Sequence, residues 1–256
     1  MHFTRALVGF YSIFAVATAY DQLDSGIIKH EGEAIGKEIE YDGVTLYISK
    51  PKQRIKRDTA VLYLTDVFGI PLLQNKLLAD SFSRAGFVTI TPDILNGDPA
   101  PHDIDFDAAE YLSRHTPENT DPIIEKTIDY IHNELKIKKI AVTGYCFGGR
   151  YAFRFLAEGK GADVGFAAHP SLLQDSEILA IDGPASIAAA EVDTLLNATR
   201  RSEIEGLLGE TPQAFQVNLY SGTSHGFGVR ANVSDPEQKF GKEEAFWQAV
   251  KWFNSW

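Results

Sequence analysis

Apolar residues along this chain fall into short runs separated by amphipathic stretches. Residues 44–48 and 215–220 alternate apolar and polar, whereas 59–65, 87–91, 140–143, 164–168 and 185–189 are more continuously apolar. Runs of that length, rich in β-branched residues or alanine and bounded by Gly, Pro or Asp, read as strands, most of them buried on both faces. Between them lie helical stripes. Leu72, Leu73, Leu77, Leu78 and Phe82 share one face of a helix predicted from Pro71 to Arg84, with Gly86 as its stop. Asp121-Pro122 is expected to open a second helix, in which Ile124, Ile128, Ile131 and Leu135 line a face. Residues 195–208 read as helical, and an aromatic-rich helix is predicted from Glu243 to the C-terminus, with Phe246, Val250 and Phe253 on one side. Residues 21–39 lack strong periodicity and read as an irregular lead-in. Strand and helix alternate, which predicts an α/β fold with a mostly parallel central sheet, helices on both faces and right-handed crossovers. Reactive groups then gather at the C-terminal strand ends.

One strand end stands out. The run at 140–143 meets Gly144-Tyr145-Cys146-Phe147-Gly148, and the segment from Gly149 to Leu156 reads as the opening of a helix. Strand, tight turn and helix in that order, with glycine two places either side of the central residue, describe a nucleophile elbow carrying sulfur in place of oxygen. A free thiol titrates near pH ~8.5, so it needs an imidazole to take its proton and a carboxylate to orient that imidazole. Two later strand ends supply both. Residues 185–193 end in Asp193, and the last predicted strand runs into Ser221-Gly222-Thr223-Ser224-His225-Gly226-Phe227-Gly228. Nucleophile, acid, histidine is the chain order of an α/β-hydrolase. Glu191 is a rival acid, although it shares the strand side of Ala189 while Asp193 lies beyond the strand end. His169, one strand after the nucleophile, is a rival base. Oxyanion donors are expected from the N–H of Phe147, next after the nucleophile, and from Val67 in the loop Asp66-Val67-Phe68-Gly69. That position also brings Asp66 near the sulfur.

Composition narrows the classes. A chain of 256 residues and 28.3 kDa has room for one substantial core, and no linker-like stretch divides residues 20–256, which are therefore expected to form a single domain. A net charge of -11 argues against nucleic acid as partner, because phosphate binding needs concentrated Lys and Arg. At the N-terminus, Arg5 precedes an apolar run from Ala6 to Val16, followed by Ala17-Thr18-Ala19 at the spacing signal peptidase prefers. Residues 1–19 therefore read as a cleavable secretory signal. Removing them takes away one arginine and no acid, moving the charge from -11 to about -12 and leaving no membrane anchor. Sequons at Asn197-Ala198-Thr199 and Asn232-Val233-Ser234 fit a secretory route and mark candidate N-glycan sites. The lone cysteine precludes an internal disulfide and a cysteine-based zinc site. A thiol left unpaired in an oxidising compartment must be shielded or useful.

Assembled, the chain resembles the dienelactone hydrolase family. The matching pieces are Gly144-Tyr145-Cys146-Phe147-Gly148-Gly149-Arg150, Asp66-Val67-Phe68-Gly69, Pro92-Asp93 and Ser221-Gly222-Thr223-Ser224-His225-Gly226-Phe227. The resemblance implies an α/β-hydrolase fold, a triad falling on Cys146, Asp193 and His225, and no metal or organic cofactor. It also implies a resting contact between an acid and the thiol, with Asp66 where many members carry glutamate. Two departures are visible: Ala190 stands where the family usually has glycine three places before its acid, and the loop at 92–101 lacks the arginines that hold a dienelactone carboxylate. Arg230 is the alternative for that task. The expected activity is hydrolysis of small carboxylic esters or lactones through a thioester. Acyl transfer by the same triad, or ligand binding without turnover, are the alternatives.

Overall fold

The computed structural model describes residues 26–52, 58–101 and 107–256; the expected signal at 1–19 lies outside them. Eight strands form one sheet among the described residues: β1 (Lys37–Tyr41), β2 (Val44–Ser49), β3 (Thr59–Leu64), β4 (Val88–Pro92), β5 (Lys139–Tyr145), β6 (Val164–Ala168), β7 (Ala185–Val192) and β8 (Phe215–Ser224). Their order is β1-β2-β4-β3-β5-β6-β7-β8, with β1 and β2 antiparallel to their neighbours and every later pairing parallel. The helices are α1 (Leu73–Arg84), α2 (Ala108–Arg114), α3 (Pro117–Asn133), α4 (Phe147–Arg154), α5 (Asp175–Leu179), α6 (Ala198–Glu210), α7 (Phe227–Arg230) and α8 (Pro236–Ser255). This is the mostly parallel α/β architecture that the alternating pattern predicts.

Period-two alternation within β3 explains the layering. Val61 and Tyr63 join a cluster with Leu78 and Phe82 of α1 and Phe246, Val250 and Phe253 of α8. Ala60, Leu62 and Leu64 point the other way, into a cluster with Ile124, Ile128 and Ile131 of α3 and Tyr151 of α4. Both faces of the strand are thus covered, which is why it reads as a continuous apolar run. The aromatic C-terminal helix is a core element: Phe82 packs tilted against Phe246 at 4.9 Å between ring centroids, and Phe87 meets Phe253 edge-on at 6.1 Å. Trp252 donates its indole N–H to the Pro184 carbonyl at 3.4 Å.

Boundaries differ from expectation where chain chemistry is local. The lead-in contains β1, an edge strand in which Lys37, Glu38, Ile39 and Glu40 are exposed, so no apolar face marks it. Helix α3 starts at Pro117, in the N1 position that suits proline, and Pro122 sits inside it rather than opening it. Helix α8 starts at Pro236, seven residues before Glu243, because Asp235 accepts hydrogen bonds from the Glu237 and Gln238 amides and caps it. The short helices α2 and α5 have too few apolar positions to show a period.

Candidate active site

The elbow forms as the glycine spacing predicts. Cys146 connects β5 to α4 with φ 52° and ψ -112°, a left-handed conformation that costs a non-glycine residue energy and persists only where surroundings enforce it. They do so closely. A methyl group on Gly144 would overlap the Gly148 carbonyl, and one on Gly148 would overlap the Leu64 carbonyl, so the turn can sit against β3 only without side chains. The Cys146 N–H donates to the Ala168 carbonyl at 3.1 Å, and its own carbonyl accepts from Gly149 at 3.0 Å and from Ser171 at 3.1 Å. The thiol is nearly enclosed, with 7% of the residue exposed.

Strands β7 and β8 bring the other two groups. Strand β8 extends to Ser224 and delivers His225 directly, with Gly226 turning the chain at φ 92°. His225 Nε2 lies 3.0 Å from Cys146 Sγ, and Nδ1 lies 2.8 Å from Asp193 Oδ2. The Asp193 side chain is fully buried just past the end of β7, where Oδ1 accepts from the amides of Leu195 at 2.8 Å and Leu196 at 3.0 Å. Capping of α6 falls instead to Asn197, whose side chain accepts from the Arg200 amide. Glu191, the rival acid, is exposed and accepts from the Gly222 amide at 2.8 Å.

Electrostatics follow from this geometry. Burial disfavours a charged His225 ring, yet hydrogen bonds to Asp193 and Cys146 outweigh it and raise the imidazole to about 9. For Asp193, burial pushes upward while the His225 and backbone hydrogen bonds hold the carboxyl below its ordinary value. His169 is different. Its ring is fully buried, 5.1 Å from the His225 ring and edge-on to it, and neither ring nitrogen has a hydrogen-bond partner among the described residues. Burial first, then the neighbouring His225 and Arg230, push it well below the usual imidazole range. His169 is therefore a neutral neighbour of His225, hydrogen-bonded to neither Cys146 nor Asp193 among the described residues.

The hydrogen bonds of Asp66, expected near the thiol, run to other partners among the described residues. Its carboxylate is fully buried and committed elsewhere: Oδ1 accepts from Asn75 Nδ2 at 2.9 Å and the Phe68 amide at 3.2 Å, and Oδ2 pairs with Arg230 Nε at 3.1 Å. Arg230 keeps a third of its side chain exposed and lies over the Phe68 ring, 4.7 Å from its centroid. Asn75 also accepts from Tyr63 Oη at 2.8 Å and donates to the Gly69 carbonyl at 2.9 Å, which anchors the 66–69 loop. The Val67 carbonyl accepts from Ala100 N and Tyr111 Oη at 2.8 and 3.2 Å. Phe147 is the first residue of α4, so its N–H has no intrahelical acceptor. Gly148 N–H donates to the Thr65 carbonyl at 3.0 Å, tying the start of α4 to the end of β3 beside Val67.

Sequence reasoning missed Ser171 and Asn75. Ser171 Oγ lies 3.7 Å from Cys146 Sγ; nothing local in the sequence marks a serine 25 residues downstream as a partner of the thiol. Leu95, Asn96 and Asp98 of the 92–101 loop line a cavity of about 330 Å³ with Arg114, His115 and Ile123, and Cys146, Asp193 and His225 are not among its lining residues.

The dienelactone hydrolase family model matches residues 44–256. Hydrolase pyvD of Aspergillus violaceofuscus is 38% identical over 229 residues, covering 89% of this chain and 93% of that one. Hydrolase tropI of Talaromyces stipitatus is 37% identical over 238 residues, with the same shares covered. Among solved structures, the dienelactone hydrolase from Anabaena variabilis superposes with a TM-score of 0.64 at 13% identity, covering 89% of this chain and 99% of that chain, a likeness of fold alone. On the family match and the two fungal relatives together, this chain belongs to the dienelactone hydrolase family of α/β-hydrolases.

Proposed function

We propose that this protein hydrolyses small carboxylic esters or lactones through a thioester on Cys146, with His225 and Asp193 completing the triad. The observation that carries the reading is the unbroken hydrogen-bonded line from Asp193 Oδ2 through the His225 ring to Sγ, held on an elbow. Sγ attacks the carbonyl carbon as thiolate while Nε2 holds the proton. The carbonyl oxygen becomes the oxyanion, received by the amides of Phe147 and Val67 at the start of α4 and the end of β3. The C–O bond then breaks, and the leaving alkoxide takes the Nε2 proton. Neutral His225 next deprotonates water, hydroxide adds to the thioester, and the C–S bond breaks to release the acid and restore the thiolate–imidazolium pair. Asp193 holds the Nδ1 proton throughout, which keeps Nε2 as the working nitrogen.

Cys146→Ala is expected to lower turnover of a p-nitrophenyl ester by a thousandfold or more, on the order expected when a nucleophile is removed. Unchanged turnover would overturn the reading. A mass shift equal to one acyl group on the wild-type thiol, absent from the variant, supports it. Arg230, one-third exposed beside the site, is the candidate contact for a substrate carboxylate. We further propose that the protein enters the secretory pathway through cleavage of residues 1–19. Asn197 and Asn232 are both exposed and precede helices α6 and α8, where glycans would face solvent.

A further inference from the structure

We propose that the Ser171 hydroxyl is a second hydrogen-bond donor to Cys146 Sγ, stabilising the thiolate alongside the His225 imidazolium. This inference rests on the reading of Cys146 as nucleophile. Ser171 is 5% exposed, and Sγ is the hydrogen-bond partner of its hydroxyl among the described residues, at 3.7 Å. A buried hydroxyl needs an acceptor, and sulfur accepts best when charged. The serine is itself placed by the elbow, because its N–H donates to the Cys146 carbonyl at 3.1 Å.

The segment that carries it is strained on both sides. His169 has φ 38° and Leu172 has φ 61°, conformations that non-glycine residues rarely adopt outside functional positions. Pro170 between them presses on the elbow helix so tightly that a methyl group on Gly149 would come within 2.8 Å of its Cβ. The second glycine of Gly148-Gly149 therefore has a task of its own: it admits the 169–172 turn against α4. The Ala168 carbonyl ahead of that turn accepts the Cys146 N–H, so one segment grips the nucleophile by its amide, its carbonyl and its side chain.

The chemistry calls for such a donor. Through the acyl-enzyme steps the Nε2 proton of His225 goes to the leaving alkoxide and is then regained from water, so the ring serves oxygen and its hydrogen bond to sulfur re-forms only as the thiolate is released. When the C–S bond of the tetrahedral intermediate breaks, the electron pair goes to Sγ. Ser171 O–H stands ready to stabilise the charge without transferring its proton, so no atom is gained or lost by the serine.

The test is the rate of alkylation by iodoacetamide as a function of pH in wild type and Ser171→Ala, with p-nitrophenyl ester turnover and melting temperature measured alongside. Loss of the hydroxyl should move the alkylation curve to higher pH by about half a unit or more and slow alkylation severalfold on its acidic limb, since a hydrogen bond to a charged group is lost. The melting temperature should stay within a few degrees. Superimposable alkylation curves overturn the inference. Should alanine disturb folding, Ser171→Gly also lacks the hydroxyl and must show the same displacement, while Ser171→Thr, which keeps it, should restore the wild-type curve. Cys146→Ala separates the two readings: if it keeps full ester turnover, the nucleophile assignment fails. If it is inactive and Ser171→Ala alkylates as wild type, only the serine inference fails.

Discussion

The charge state of His225 ties chemistry to stability at the scale of single residues. Its folded value of about 9 stands above the ordinary imidazole value of 6.5, so its contribution to stability is fully present below pH 6.5. That contribution is lost as pH rises from there through about 9. Asp193 has the opposite sign: its carboxyl is held low, so its contribution is present at neutral pH and lost as the solution becomes strongly acidic. In Asp193→Asn the imidazole loses a partner that raises it, and the stability lost between pH 6.5 and 9, at most about 3 kcal/mol for a shift of this size, should shrink. Urea unfolding at pH 6, 7.5 and 9 measures this; an unchanged pH dependence would show that the Asp193 contact does not hold the proton. The same variant should lose on the order of a hundredfold or more in kcat/KM, because the amide cannot fix the required tautomer. Of the residues involved, Cys146, His225 and Asp193 were legible in the sequence because each stands at a strand end with glycines or a turn beside it. Ser171, Asn75 and the pairing of Asp66 with Arg230 were not. A hydroxyl, an amide or a carboxylate does not announce its partner, and the two ends of the Asp66–Arg230 pair are separated by 164 residues.

Among elements, the elbow is where sequence and packing are most tightly coupled. Gly144→Ala places a methyl group into the Gly148 carbonyl at the junction of β5 and α4, both backbone, where no flexible side chain can yield. It should destabilise the protein by more than about 2 kcal/mol. Gly206, exposed in the middle of α6 with open space around it, gives the opposite sign: Gly206→Ala should stabilise by roughly 0.5–1 kcal/mol through helix propensity. Melting curves of both variants test the pair, and a neutral Gly144→Ala would show that the elbow tolerates a wider turn. Interior strands were legible because burial on both faces leaves a continuous apolar run. Strand β1 was not, since an edge strand with four exposed residues in five is held by its ladder to β2 and carries no apolar signature. The start of α3 was misplaced for a related reason: two prolines compete for the opening position, and local chemistry does not choose between Pro117 and Pro122.

For the whole molecule, the acidic surface and the two exposed sequons suit passage through the secretory route proposed above. Expression in a eukaryotic host should yield a secreted protein whose N-terminus begins near Tyr20 and whose mobility increases after endoglycosidase treatment; an intracellular product retaining Met1 would remove that proposal. The strand order, with β3 inserted between β4 and β5, places the C-terminal ends of β3, β5, β7 and β8 where one site can draw on all four. By itself the sequence determined the alternation of strand and helix, the elbow, and the placing of Cys146, Asp193 and His225 at successive strand ends, because periodicity and turn chemistry are properties of neighbouring residues. Only the tertiary structure decided that His225 reaches across 79 residues to the thiol, that Asp66 is claimed by Arg230 and Asn75, and that Ser171 lies against the sulfur. Those outcomes depend on hydrogen-bond geometry between segments distant in the chain, which packing sets and local pattern does not encode.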